Sequence, residues 1–320
     1  MVGVTSNVLA YPKCTTGTYP GWFAKPEPLP LRLLILATTA ALAAAAALAQ
    51  QPSVADQPLA PARAYLGFDR NDYPGDAALP ELRKHFDFTG YWLTNPPGAT
   101  RNSWLGTRDR LARAGFGFLI IANGRFDAEL IRAAKQGNSP AALGRADATD
   151  AVAAARREGF PAGAIIFLDQ EEGGRLLPST AEYLFAWTEA VAHSAYLPGV
   201  YASGQPADDG PGPNGKTVFI TTIQDIRARV AANHLHPISF WVAQDACPPA
   251  PGCVLQPPPV ELSGTPDAAA WQYAQSPRRR SITQACARTY APDGNCDTPS
   301  PAPLFVDLST APTADPSHGR

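Results

Sequence analysis

The stretch Ile165-Ile166-Phe167-Leu168-Asp169-Gln170-Glu171-Glu172-Gly173-Gly174 runs from apolar residues into three carboxylates and a double glycine. It reads as a buried strand ending in a loop. While the two-residue repeat of a strand lasts, Asp169 and Glu171 point to the same side. Two carboxylates held close at the mouth of a low-dielectric core cannot both ionise easily, so one pKa is pushed up. The product is an acid able to protonate a leaving-group oxygen near neutral pH. Glycoside hydrolysis uses such a pair, with one proton donor and one base, nucleophile or electrostatic support. Helix-dipole stabilisation would account for one or two acids at a single strand end, but not for acids recurring at several.

They do recur. Asp69, Asp245 and Asp307 also sit at or just past the ends of apolar, strand-like runs. Aromatic residues accompany them: Tyr201, Trp241, and the triplet Trp271-Gln272-Tyr273. Sugars offer C–H faces that stack on rings and hydroxyls that bond to carboxylates and amides. Glu171, Asp169, Asp69 and Asp307 are therefore the expected catalytic group. Tyr201, Asp245, Trp271, Gln272, Tyr273 and Glu172 are the expected substrate contacts, although alternation places at least one of Trp271 and Tyr273 in the core. No cofactor or metal is expected. The sequence holds no G-x-G-x-x-G, P-loop or G-x-S-x-G pattern. Its histidines, His234-x-His236 included, show no ligand spacing, and Ser203 and Ser263 have no visible partners for nucleophilic catalysis.

Those side chains need a scaffold. Strands are expected at Tyr65–Asp69, Gly90–Leu93, Gly117–Ala122, Ala164–Asp169, Gly199–Ala202, Ser239–Ala243, Ala270–Tyr273 and Leu304–Asp307. Helices are expected at Arg101–Ala114, Gly144–Glu158, Pro178–Ser194 and Thr222–Asn233. Strand and helix alternating in this way predict a parallel sheet. A doubly wound open sheet competes with a (β/α)8-type, TIM-like barrel. Acids at the ends of several separate strands favour the barrel, whose sites are assembled at that rim. In a closed barrel the first and last strands are neighbours, which would bring Asp69 and Asp307 together beside Asp169.

Composition narrows the function classes. Charged residues make up 17% and hydrophobic ones 45% of the 320 residues, enough for a sizeable core. A net charge of −2 gives no case for nucleic acid or a polybasic membrane contact. The apolar run from Leu31 to Leu48 ends in Ala47-Leu48-Ala49, a small-x-small processing motif. Residues 1–49 are thus expected to be a leader and signal peptide, 50–63 a Pro-rich tether, and 64–320 one barrel domain. The mature chain would be an exported monomer of the cell envelope or exterior, not inserted in the membrane. Cys247, Cys253, Cys286 and Cys296 then read as two short-range disulfides, Cys247–Cys253 and Cys286–Cys296.

The ordered succession Gly67-Phe68-Asp69, Phe167-Leu168-Asp169-Gln170-Glu171, Pro198-Gly199-Val200-Tyr201, Trp241-Val242-Ala243, Trp271-Gln272-Tyr273 and Phe305-Val306-Asp307 resembles the Rv2525c-like glycoside-hydrolase-like domains. That family, formerly of unknown function, is related to the muramidases of glycoside hydrolase family 25. The resemblance implies a barrel acting on cell-wall-type glycan. Glu171 would be the general acid and Asp169 its partner, orienting a substrate N-acetyl group or serving as base. Asp69 and Asp307 would be supporting acids. Glu172-Gly173-Gly174, the Pro-rich cysteine loops and Gly90-Tyr91-Trp92-Leu93 depart from true muramidases on the side where substrate would lie. The alternative expectation is a catalytically silent, glycan-binding envelope module on the same barrel.

Overall fold

The computed structural model describes residues 63–244, 257–275 and 306–320, all within the compact unit Ala62–Arg320. In chain order its strands are β1 (Tyr65–Asp69), β2 (Phe88–Trp92), β3 (Gly117–Asn123), β4 (Ile165–Gln170), β5 (Leu197–Ser203), β6 (Ala207–Pro211), β7 (Thr217–Ile220), β8 (Ser239–Ala243), β9 (Ala270–Ala274) and β10 (Asp307–Ala311). The helices are α1 (Leu79–His85), α2 (Arg108–Arg113), α3 (Asp127–Lys135), α4 (Pro140–Arg157), α5 (Pro178–Ala192) and α6 (Thr222–Asn233).

Eight strands close into a barrel in the order β1-β10-β9-β8-β5-β4-β3-β2, while β6 and β7 form a separate hairpin. Closure excludes the open doubly wound sheet. The strands from β1 round to β9 are mutually parallel, as expected. The last strand is not: β10 runs antiparallel to both β1 and β9. Asp307 therefore begins its strand instead of ending it, which corrects the expected Leu304–Asp307 span. Because β10 enters from the rim, its first residue lies at the same end as the last residues of the parallel strands. Asp307 accordingly pairs in register with Asp69.

Alternation along each strand divides the core into two layers. One face packs Phe88, Leu119, Ile121, Phe167 and Trp241 inside the barrel. The Trp241 indole N–H donates across it to Ser309 Oγ at 3.1 Å, and its ring meets Phe167 edge-on. The opposite face lies under the helices, where Tyr91, Phe118 and Phe160 make edge-to-face contacts with centroids 5.1–6.0 Å apart. Helix α4 starts earlier than expected because Ser139 caps it, accepting from the Ala142 N–H, and Pro140 supplies a preset φ. Its Gly144 lets α5 approach so closely that a Cβ there would fall 2.2 Å from the Tyr183 carbonyl.

Other departures from expectation have local causes. The expected helix at Arg101–Ala114 shrinks to α2, because residues before it cover the end of β2 instead. Asn102 Nδ2 donates to the carbonyls of Trp92 and Thr94, and the Trp104 indole N–H donates to Asn71 O. Helix α3 and the β6–β7 hairpin were not anticipated. The C-terminal tail fills the seam between the starts of β3 and β4: Ser317 Oγ accepts from the Ile120 N–H, and its carbonyl accepts from the Ile165 N–H, both at 2.9 Å. Among the described residues no helix is long and apolar enough to cross a membrane. The apolar run 31–48 and all four cysteines expected to pair lie outside the described residues.

Candidate functional site

The acids meet at the rim formed by the C-terminal ends of the parallel strands. Asp169 on β4 is in register with Tyr201 on β5, and Tyr201 with Trp241 on β8. The side chains of β1, β9 and β10 that point inward there are Asp69, Gln272 and Asp307. Gln272 is the hub. Its Nε2 donates to Asp69 at 3.1 and 3.2 Å and to Asp307 at 3.4 Å. Its Oε1 accepts from the Tyr201 hydroxyl at 2.8 Å and from Gln275 Nε2 at 3.1 Å. One buried amide thus faces two carboxylates with its donor end and a phenol with its acceptor end.

Burial sets the protonation of this cluster. It pushes Asp69 up to about 7; the Gln272 bond works against that rise and the Asp169 charge adds to it. Asp169 is raised well above the usual carboxylate range, first by burial and then by the charges of Glu171 and Glu172. Tyr201 is likewise held protonated by burial, reinforced by Asp69, Asp169, Asp307 and Glu171. The phenol therefore sits within the field of all four acids expected to be catalytic. Asp169 Oδ1 is buried with no hydrogen-bond partner among the described residues. Buried polar atoms are nearly always partnered, so such an atom at a cleft is a candidate contact for a ligand.

Glu171 stands just beyond β4 and is exposed, at the lip of a crevice lined by Asn123, Gly124, Arg125, Asp169 and Glu172. The loop carrying it is pinned from both sides. Glu172 Oε1 accepts from the Asp127 N–H at the start of α3, and Oε2 accepts from Gln170 Nε2. On the other side buried Asp225 of α6 accepts from the Leu176 N–H and pairs with Arg175 and Arg229. Arg175 also bridges to Asp209 of the hairpin. Burial raises Glu172's pKa, against the Asp127 N–H bond. Its oxygens are thus engaged in holding the loop and capping α3, whereas the sequence assigns it to substrate.

Trp271 and Tyr273 also depart from expectation. Strand alternation turns both away from Gln272, to the helix-covered side of the sheet, where they are buried edge-to-face against each other. The Trp271 indole N–H is spent on Gln244 O at 2.8 Å. Of the expected substrate contacts, Tyr201 and Gln272 lie among the acids and Glu172 lines the crevice beside Asp169 and Glu171, while Asp245 falls outside the described residues. Asn123 faces the rim without a counterpart among the expected site residues. Asn123 is in register with Asp169, and its only sequence signal was a polar residue at a strand end.

Gly90 makes room for Asp69. A Cβ at this position would lie 2.6 Å from Asp69 Cβ, and neither backbone can yield without shifting a barrel strand. Gly90→Ala is expected to destabilise the domain by about 1–3 kcal/mol, measured by urea unfolding. A midpoint equal to wild type would refute the close approach.

A family model for the Rv2525c-like, glycoside hydrolase-like domain matches residues 90–284. The chain belongs to this family. The matched span contains Asp169, Glu171, Tyr201 and Gln272; Asp69 and Asp307 flank it on β1 and β10. No curated protein matches. Solved structures similar to the chain include an uncharacterized B. stearothermophilus protein at 20% identity and TM-score 0.46, covering 77% of this chain and 95% of that one. The Mycobacterium tuberculosis Tat-secreted protein Rv2525c is similar at 12% identity and TM-score 0.44, covering 78% and 95%. The catalytic domain of endolysin ply40 from Listeria monocytogenes bacteriophage P40 is similar at 13% identity and TM-score 0.39, covering 78% and 93%.

Proposed function

We propose that this family member is an exported glycosidase acting on cell-wall-type glycan, with Glu171 as general acid and Asp169 as its partner. The observation that carries the reading is the set of four rim acids around the Tyr201 phenol, two of which, Asp69 and Asp307, accept from the Gln272 amide that also holds the phenol. Among the described residues, Asp69 is met there by an amide and not by a cation, and Asp169 Oδ1 by no hydrogen-bonding group. A purely structural cluster would more often pair its buried carboxylates with Arg or Lys, as Asp225 is paired. Export is supported by the apolar run 31–48 and its processing motif.

The environments divide the labour. Asp169 is the buried member, its pKa raised well above the usual carboxylate range by burial and by the charges of Glu171 and Glu172. Glu171 is the exposed member at the lip, where a glycosidic oxygen would first arrive. A sugar lying over Glu171 strips away its water and raises its proton affinity. The proton shared by the pair then reaches Glu171 and passes to the leaving oxygen as the C–O bond breaks. The Asp169 carboxylate left behind faces the positive charge developing on the sugar ring. Water then adds its hydroxyl to that carbon and gives its proton to the carboxylate pair, which restores the starting state.

The test is release of new reducing ends from cell walls and from a panel of oligosaccharides, by wild type and by Glu171→Gln. Turnover by wild type that disappears in the variant supports the enzyme. Glycan binding by both with turnover by neither would make the domain a binding module. Neither binding nor turnover would sink the reading altogether.

A further inference from the structure

We infer that Glu189, His193 and His236 form a binding site for a divalent transition-metal ion at the foot of the barrel, away from the acidic rim. Helix α5 runs back against the strands, so its last turn lies at their N-terminal ends. Glu189 and His193, four residues apart, share one face of that turn. His236 comes from the segment between α6 and β8. One carboxylate oxygen and one nitrogen from each imidazole lie within 4.8 Å of one another.

The three side chains are already oriented as ligands are. His193 Nδ1 is 2.7 Å from the Glu189 carbonyl; with its N–H donating there, Nε2 keeps the lone pair that a metal requires. A backbone carbonyl holding the second ring nitrogen is the usual support of a metal-bound histidine. Glu189 Oε1 accepts from the His236 main-chain N–H at 2.9 Å, which fixes the carboxylate. Its Oε2 lies 2.8 Å from His236 Nδ1. This is a hydrogen bond, an ion pair when the imidazole is protonated; a tetrahedral ion bound at about 2.1 Å would replace it and hold the two ligand atoms about 3.4 Å apart.

The rings of His193 and His236 meet edge-on at 5.0 Å, although both residues are exposed and no core forces them together. Two imidazoles and one carboxylate suit zinc, nickel or copper(II); calcium and magnesium prefer all-oxygen sets. Three protein ligands leave positions for water, so the ion would exchange with solvent. Its effect would be to tie the end of α5 to the segment entering β8. Sequence spacing hides the site, because His236 stands 43 residues from His193.

The experiment is calorimetric titration of the whole protein with Zn²⁺ and separately with Ni²⁺, with Ca²⁺ as the contrasting ion. One transition-metal ion per chain is expected. His193→Ala and His236→Ala should each weaken binding by at least about tenfold and remove the metal-dependent rise in melting temperature. Both side chains are exposed, so the variants keep the fold, which circular dichroism checks. Asp169→Asn, which alters the rim alone, should bind the ion as wild type does. Binding unchanged in both histidine variants, binding lost in Asp169→Asn, preference for Ca²⁺, or no binding would each overturn the site.

Discussion

Glu171→Gln is expected to lower glycan hydrolysis by about 10²–10⁴-fold, the usual contribution of a positioned general acid, while leaving the fold and glycan affinity close to wild type. The amide has the size of the carboxyl but no proton to give to a leaving oxygen. Because Glu171 is exposed at the lip, no core packing is lost, and the loop remains pinned by Glu172 and Asp225. A second consequence follows from the same substitution. Removing the Glu171 charge removes one of the influences that raise Asp169, so the Asp169 pKa should fall. Glycosides with good leaving groups need little protonation, so the variant should recover much of its rate on an activated aryl glycoside. Kinetics on natural and activated substrates measure both effects. Equal rates for wild type and variant on the natural glycan would remove Glu171 from the chemistry.

The strands were the legible part of this chain. Runs such as Ile165–Leu168 and Gly117–Ala122 are apolar throughout because parallel strands under helices are buried on both faces, and they stood out for that reason. β10 is not legible as a strand because its residues after Asp307 include Ser309 and Thr310, which look like loop. Both are buried, and Ser309 is accommodated by the Trp241 indole donating to it. The acids at strand ends could be read from pattern alone, since a strand's last residue faces the rim whatever its partners. Which neighbours they meet could not. Gln272 becomes the hub only because β9 lies next to β10 and Tyr201 reaches across from β5. The same alternation that aims Gln272 inward sends Trp271 and Tyr273 outward, so the aromatic triplet yielded one amide at the site and no rings. Glu172 shows the opposite case: adjacency to Asp169 and Glu171 suggested chemistry, but α3 begins where its carboxylate can cap the first turn.

Asp69→Asn is expected to stabilise the domain at pH 8 while impairing the site. Folding raises this carboxyl from 3.8 to about 7, chiefly through burial. Below pH 4 both folded and unfolded chains hold the proton, and Asp69 adds no penalty. Between about pH 4 and pH 7 the unfolded chain releases it while the folded chain retains it, so stability falls as pH rises across that window. Above pH 7 the penalty is constant, at most a few kcal/mol at about 1.4 kcal/mol per pKa unit. Asparagine has no charge to bury, and its Oδ1 can still accept from Gln272 Nε2. For a domain of this size the gain corresponds to roughly 5 °C or more in melting temperature. Asp169 titrates in the same direction, so the wild-type curve alone does not isolate Asp69. The difference between the two melting curves does: it should be near zero at pH 4, open towards pH 7 and stay constant beyond. Parallel curves from pH 4 to pH 8 would mean that the Asp69 carboxyl costs nothing to bury. If the difference opens as described, the chain keeps at Asp69 a charge that weakens its own fold. Selection tolerates such a residue where the charge serves a ligand or a reaction, which would tie the energetics of β1 to the acidic rim around Tyr201.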